Sequence, residues 1–195
     1  MLTGWVRSLI TLLVMVVFYS LDFWFMHHYD RQRQAVKSGR AWDFTLVMIG
    51  AALLLVVQPV WWPGLGFSTS AWWGLALQVT GLVLLVFSFV LHIWARRHLG
   101  RFYAERVEIL PDHRVVDSGP YAYIRHPVIT SFFGIAIGLF LVNPAWFTLL
   151  MMLYTFWDFG RAAMREERLL LQNLPDYAAY MQRTARFLPR WRQKR

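Results

Sequence analysis

Arg125 and His126 lie in a short stretch, GPYAYIRHPVI (residues 119–129), with a Gly-Pro turn, two tyrosines and a second proline. About forty residues later Glu166 and Glu167 stand side by side in RAAMREERLLL (161–171). Imidazole, guanidinium and paired carboxylates are the side chains that bind charged ligands and move protons. An arginine can orient a carboxylate through two parallel hydrogen bonds. The plainer reading is structural. On a helix the Glu pair would form ion pairs with Arg161, Arg165 or Arg168, and His126 before Pro127 would simply mark a helix entry. What favours chemistry is that the two polar groups flank one uncharged run, Pro127 to Trp157.

The elements that must position them follow from that run. NPAW (143–146) divides it, because Asn-Pro signals a turn and proline suits the first turn of a helix. Segments 127–142 and 145–163 then form a helical hairpin, and antiparallel geometry brings His126 at its start near the Glu pair beyond its end. Upstream, no Asp, Glu, Lys or Arg occurs from Phe44 to Ala95. That is too long for one helix, and PGLGFSTS (63–70) breaks it into spans at 43–62 and 71–95. Residues 8–28 supply a first span of suitable length. They lack a small-residue cleavage site, so they read as a retained helix rather than a signal peptide. The expected fold is all-α: a polytopic membrane protein with five transmembrane helices, the last two a hairpin, and a C-terminal helix. Residues 1–95 form a three-span scaffold. Residues 96–195 form the catalytic half, made of loop 96–126, hairpin 127–163 and C-terminal segment 164–195.

Composition agrees. The chain is 57% hydrophobic and only 16% charged, where a soluble domain carries about 25% charge; the lipid bilayer is therefore its expected surrounding. Trp61, Trp62, Trp72 and Trp73 flank the 63–70 break as an interfacial belt would. Of the 20 Lys and Arg residues, all but Arg7 fall in 29–42, 96–126 or the tail after 160. The positive-inside rule then places the N-terminus outside and both loop 96–126 and the C-terminus in the cytoplasm. Topology alone explains the net charge of +9, so nucleic acid is not an expected partner. With no cysteine, thiolate metal sites and cysteine nucleophiles are excluded, and no metal site is expected.

HRVVDSGPYAYIRHP (113–127), followed by REERLLLQNLPDYAAYMQRTARFLP (165–189), resembles the isoprenylcysteine carboxyl methyltransferase family of integral membrane enzymes. The related phospholipid N-methyltransferases share the pattern. Gly119, Tyr121, Arg125, His126, Pro127, Glu166, Glu167, Tyr177, Tyr180 and Pro189 stand in the family's motif positions. The likeness covers about residues 96–191. It implies S-adenosyl-L-methionine as cofactor and a lipophilic or prenylated acceptor. By resemblance the cofactor is lined by His113, Arg114, Val115, Val116, Tyr121, Arg125, His126, Pro127, Val128 and Ile129, with Glu166 closing the site and Glu167 beside it. An acceptor-linked arginine one turn before that Glu falls on Ala162 here, with Arg161 and Arg165 flanking it. Ile129 replaces the tyrosine of the family's RHPxY, and the segment from the Glu pair to Tyr177 is about one residue short.

The implied chemistry is intelligible. Methyl transfer from a sulfonium is an in-line displacement, governed by positioning and by stripping water from the nucleophile. Aromatic faces such as Tyr121 and Tyr123 attract a sulfonium. A carboxylate acceptor needs no general base; an amine or phenol does. The expected activity is O-methylation of an isoprenylcysteine-type carboxylate. Alternatives are N-methylation of a phospholipid or other lipid amine, and a non-catalytic scaffold or transporter. A transporter should carry polar or broken mid-membrane helices, whereas the second and third spans offer little beyond Gln58, Gln78, His92 and a few Ser or Thr.

Overall fold

The computed structural model describes residues 1–30, 42–67, 71–100 and 115–189. Among these, six α-helices follow in order: α1 Gly4–Asp30, α2 Trp42–Trp61, α3 Ala71–Leu99, α4 Pro127–Val142, α5 Trp146–Asn173 and α6 Tyr177–Arg183. Two single 3-10 turns, Pro63–Leu65 and Gly119–Ala122, precede α3 and α4. No strand occurs among the described residues; only the isolated bridges Gly66–Ala145 and Ile124–Ala185 pair backbone in extended form. The all-α expectation therefore holds, and each expected apolar segment falls on a helix. The basic stretch 31–41 and residues 101–114 of loop 96–126, and with them His113 and Arg114, lie outside the described residues.

Among the described residues, two stretches are long and apolar enough to cross a bilayer, Gly4–Phe25 and Trp72–Leu99. Twenty-two residues rise about 33 Å, against a hydrocarbon core of about 30 Å. Gly50–Trp61 and Pro127–Val142 are apolar but shorter. The hairpin's second helix differs from expectation. It was expected to end at 163, yet α5 continues to Asn173. Its apolar character stops at Asp158 and Arg161, but Met164–Gln172 contains no helix breaker; the helix ends where Pro175 disfavours helical backbone just before it.

The chain divides into two compact units. The first comprises residues 1–85 and 136–152. In it α1 lies along α2, so closely that a Cβ on Gly4 would sit 2.4 Å from the Pro59 carbonyl oxygen. A Cβ on Gly81 would sit 2.8 Å from the Gly138 oxygen, the small-residue approach by which helices pack in lipid. The two glutamines of the apolar spans are buried and bonded. Gln78 receives the Leu2 amide at 2.8 Å and donates to the Val142 carbonyl at 3.3 Å. Gln58 accepts from Asn143 at 2.7 Å and donates to the Trp62 carbonyl at 3.0 Å. Both serve helix ends whose backbone groups lack intrahelical partners. Trp5, Leu9, Leu13, Trp72, Val79 and Val83 are exposed, as side chains facing lipid would be.

The second unit comprises residues 86–135 and 153–195. Two apolar clusters organise it. Ala95, Tyr121 and Val128 pack with Leu99, Val116 and Phe132. Ile129, Phe133 and Ala163 pack with Phe159 and Phe187. The turn at 119–122 depends on Gly119, whose φ is +58° and whose Cβ would meet the His98 ring at 2.4 Å.

Candidate active site

The site assembles around the start of α4. Pro127 occupies the first position of α4, where its missing N–H costs nothing. This leaves Arg125 and His126 outside the helix, immediately before it, where their backbone pairs with the C-terminal segment. Arg125 N–H donates to the Ala185 carbonyl at 2.8 Å and His126 N–H to the Arg186 carbonyl at 3.1 Å. The Thr130 hydroxyl donates to the Phe187 carbonyl at 2.9 Å, and the Tyr180 hydroxyl to the Tyr121 carbonyl at 2.7 Å. Residues 184–187 thus form a strap along 121–126, with α6 behind it.

Glu167 is the electrostatic centre. It lies on the buried face of α5, one turn after Ala163, and is only 3% exposed. Arg125 Nε donates to its Oε1 at 2.8 Å. Arg186 donates through Nη2 to Oε2 at 2.6 Å and through Nε to the same oxygen at 3.1 Å. His126 Nε2 lies 3.2 Å from Oε1, and its Nδ1 lies 3.5 Å from Glu166 Oε2. Arg125 Nη1 also donates to the Met181 carbonyl at 3.2 Å and to that of Thr184. One carboxylate therefore holds groups from the loop before α4 and from the strap after α6.

These contacts shift the titrating groups. Burial alone would raise the Glu167 pKa, but hydrogen bonds from His126, Arg186 and Arg125 and the Arg125 charge hold it well below the usual carboxylate range. Burial alone would lower the His126 pKa; bonds to Glu166 and Glu167, with their charges, outweigh it and raise the pKa above 6.5. Burial pushes the Tyr180 hydroxyl up to about 12, so it stays protonated as the donor to Tyr121.

Of the expected site residues, Tyr121, Arg125, His126, Pro127, Val128, Ile129, Glu166 and Glu167 gather here, in one unit. Val115 is half-buried, and Val116 packs on the Tyr121 cluster. Val128 and Ile129 point into apolar clusters. Arg161 and Arg165 are not brought to the cluster. Both are exposed on α5, and the Arg161 guanidinium lies over the Trp157 ring at 4.9 Å. The simple same-helix ion-pair reading fails for Glu167, whose partners all come from outside α5. Sequence reasoning missed Arg186, which it counted only among the basic residues of the tail. The available signal was its place in TARFLP (184–189), just after the Tyr177–Tyr180 pair.

Residues 80–173 match the isoprenylcysteine carboxyl methyltransferase family. That stretch is just under half of the chain, and over it the chain is similar to this family. A Homo sapiens protein-S-isoprenylcysteine O-methyltransferase is 30% identical over 153 residues, which is 75% of this chain and 51% of the human one. The fold is that of the solved structure of a eukaryotic intramembrane Ras methyltransferase, an isoprenylcysteine carboxyl methyltransferase. The TM-score is 0.68 and the identity 23%, over 90% of this chain and 63% of that one. The chain thus spans about half the length of its curated relative and under two thirds of the solved one. Family and apolar helices together make it an integral membrane protein. Loop, hairpin and Glu pair all fall inside the family stretch; Arg186 and the strap follow it.

Proposed function

We propose that the chain is an integral membrane methyltransferase that transfers the methyl group of S-adenosylmethionine to the carboxylate of a lipophilic, isoprenylcysteine-type acceptor. Five helices, α1 to α5, cross the bilayer in this reading, with the N-terminus outside and loop 96–126 and the C-terminus cytoplasmic. The observation that carries it is the meeting of His126 with Glu166 and Glu167, some forty residues apart in sequence, at 3.5 and 3.2 Å, within a stretch of the methyltransferase family.

The residues present suit the cofactor. A ligand bearing an ammonium and a sulfonium calls for an accessible carboxylate. Glu166 offers one: its side chain is 41% exposed, and among the described residues only His126 approaches it as an ion-pair partner. Tyr121, Val115 and Val116 would border the same ligand from the loop, with His113 and Arg114 beside them.

Bound there, S-adenosylmethionine supplies an electrophilic methyl group. Transfer to a carboxylate oxygen would leave a neutral thioether and a neutral ester, so this chain would need to supply no base. The chain's work is therefore positional. Glu167 fixes Arg125, His126 and the strap in one arrangement, and His126 in turn steadies Glu166. The apolar residues of α4 and α5 keep water from the nucleophile, which raises its reactivity. The state of one candidate base supports ester over amine chemistry: the Glu167 carboxylate is held by two guanidiniums.

The test is transfer from methyl-labelled S-adenosylmethionine to N-acetyl-S-farnesylcysteine by the purified protein in detergent. Label released as methanol by mild base is the expected result. Base-stable label on a lipid amine would replace the ester reading with N-methylation. No transfer to either acceptor would leave the scaffold alternative.

A further inference from the structure

A carboxylate acceptor needs a cation to orient it. On α5 itself, Arg161, Arg165 and Arg168 are all exposed, and Ala162 is uncharged. The guanidiniums that reach the Glu pair come from elsewhere, Arg125 from the loop and Arg186 from the strap. They differ in availability. Arg125 is 7% exposed, and it donates through Nε to Glu167 and through Nη1 to the Met181 and Thr184 carbonyls. Arg186 is 39% exposed and grips Glu167 along one edge only, through Nε and Nη2. Among the described residues, its Nη1 makes no hydrogen bond.

A guanidinium carries five donors in a planar fork, so one edge can hold a carboxylate while the other takes a second. We propose that Arg186, braced by Glu167, is the residue that binds and orients the acceptor carboxylate. This rests on the methyltransferase reading above and names the acceptor-side residue of that same site.

The brace is part of the argument. Arginine loses side-chain freedom when it binds, and that cost weakens flexible surface arginines. Here the two bonds to Glu167 fix the guanidinium beforehand. The backbone is fixed as well, since the Arg186 carbonyl accepts the His126 amide. That bond also sets Arg186 beside the histidine that touches Glu166, where the reacting groups would meet.

The experiment compares binding of N-acetyl-S-farnesylcysteine with that of its carboxamide, to the full chain in detergent, for wild type, Arg186→Gln and Arg186→Lys. S-adenosylmethionine affinity and methyl transfer are measured in parallel. Wild type is expected to favour the carboxylate over the amide by about 10- to 100-fold, the scale of a charge-assisted bidentate pair. In Arg186→Gln the preference should fall to within about 3-fold of parity, with cofactor affinity changed less than about 3-fold. Arg186→Lys keeps a charge for Glu167 but loses the fork; its preference should fall at least about 3-fold, which tests the proposal should the glutamine variant not fold. A preference undiminished in either variant overturns the proposal. So does a loss of cofactor affinity as large as the loss of carboxylate affinity, which would mark Arg186 as a support of the fold alone. A wild type that prefers the carboxylate yet transfers no methyl would instead sink the reaction and leave the acid-binding site standing.

Discussion

Glu167→Gln should be among the most damaging isosteric changes in this chain. The amide keeps the shape and removes the charge, so the loss is electrostatic. Three groups face it: the Arg125 guanidinium with its side chain 7% exposed, the His126 imidazole with 4%, and Arg186 with 39%. Arg186 can turn to solvent, so its share is discounted. Arg125 and His126 cannot, and removing the partner of a buried cation costs about 3–5 kcal/mol. With the screened share set aside, about 3 kcal/mol remains, a large part of a typical total of about 5–15 kcal/mol. For a chain of this length that lowers the melting temperature by about 6–12 °C. The assay is intrinsic tryptophan fluorescence during heating in one detergent at one scan rate, because membrane-protein melts are often irreversible. Glu166→Gln, whose side chain is half in solvent, is the internal control and should move the transition by less than about 4 °C. A Glu167→Gln melt within about 2 °C of wild type, or a larger effect at Glu166, would refute the claim that Glu167 holds the site together.

Three further outcomes follow from the same geometry. The His126 pKa is raised in the folded protein, so its contribution is fully present below about pH 6.5 and is lost as pH rises through the folded value. The melting temperature should therefore fall as pH rises above about 6.5 in wild type, and this slope should flatten in His126→Gln. Gly119→Ala should lower stability by at least about 1–2 kcal/mol, the cost of left-handed backbone, and more where the new methyl meets His98; Gly100→Ala, also at positive φ, is the comparison melt. Tyr180→Phe removes the donor to the buried Tyr121 carbonyl and should cost about 1–3 kcal/mol, seen as earlier exchange of the 121–126 amides with deuterium. Unchanged exchange there would mean that the strap does not hold the loop.

Much of the fold was legible because apolar runs and their breakers are local signals. PGLGFSTS and NPAW fall between helices as read, and the hairpin logic brought His126 to the Glu pair. The tail of α5 was not legible from hydropathy, since residues 164–173 are helical by propensity and by one buried stripe, not by being apolar. That stripe explains the arginines. Ala163 and Glu167 are one turn apart and share the buried face, whereas Arg165 lies two positions from Glu167 and so on the opposite side. Arg186 was hidden for another reason. Its partner is 19 residues away across a turn and a short helix, and nothing in the sequence indicates that residues 184–187 fold back along 121–126.

The most direct test of the account is calorimetric binding of S-adenosylmethionine to the detergent-purified chain, wild type beside His126→Ala and Glu166→Ala. The account predicts binding by wild type and its loss in both variants while each keeps a cooperative melt. A folded wild type that does not bind, or variants that bind as well as wild type, would contradict a methyl-donor site between the loop before α4 and the Glu pair of α5.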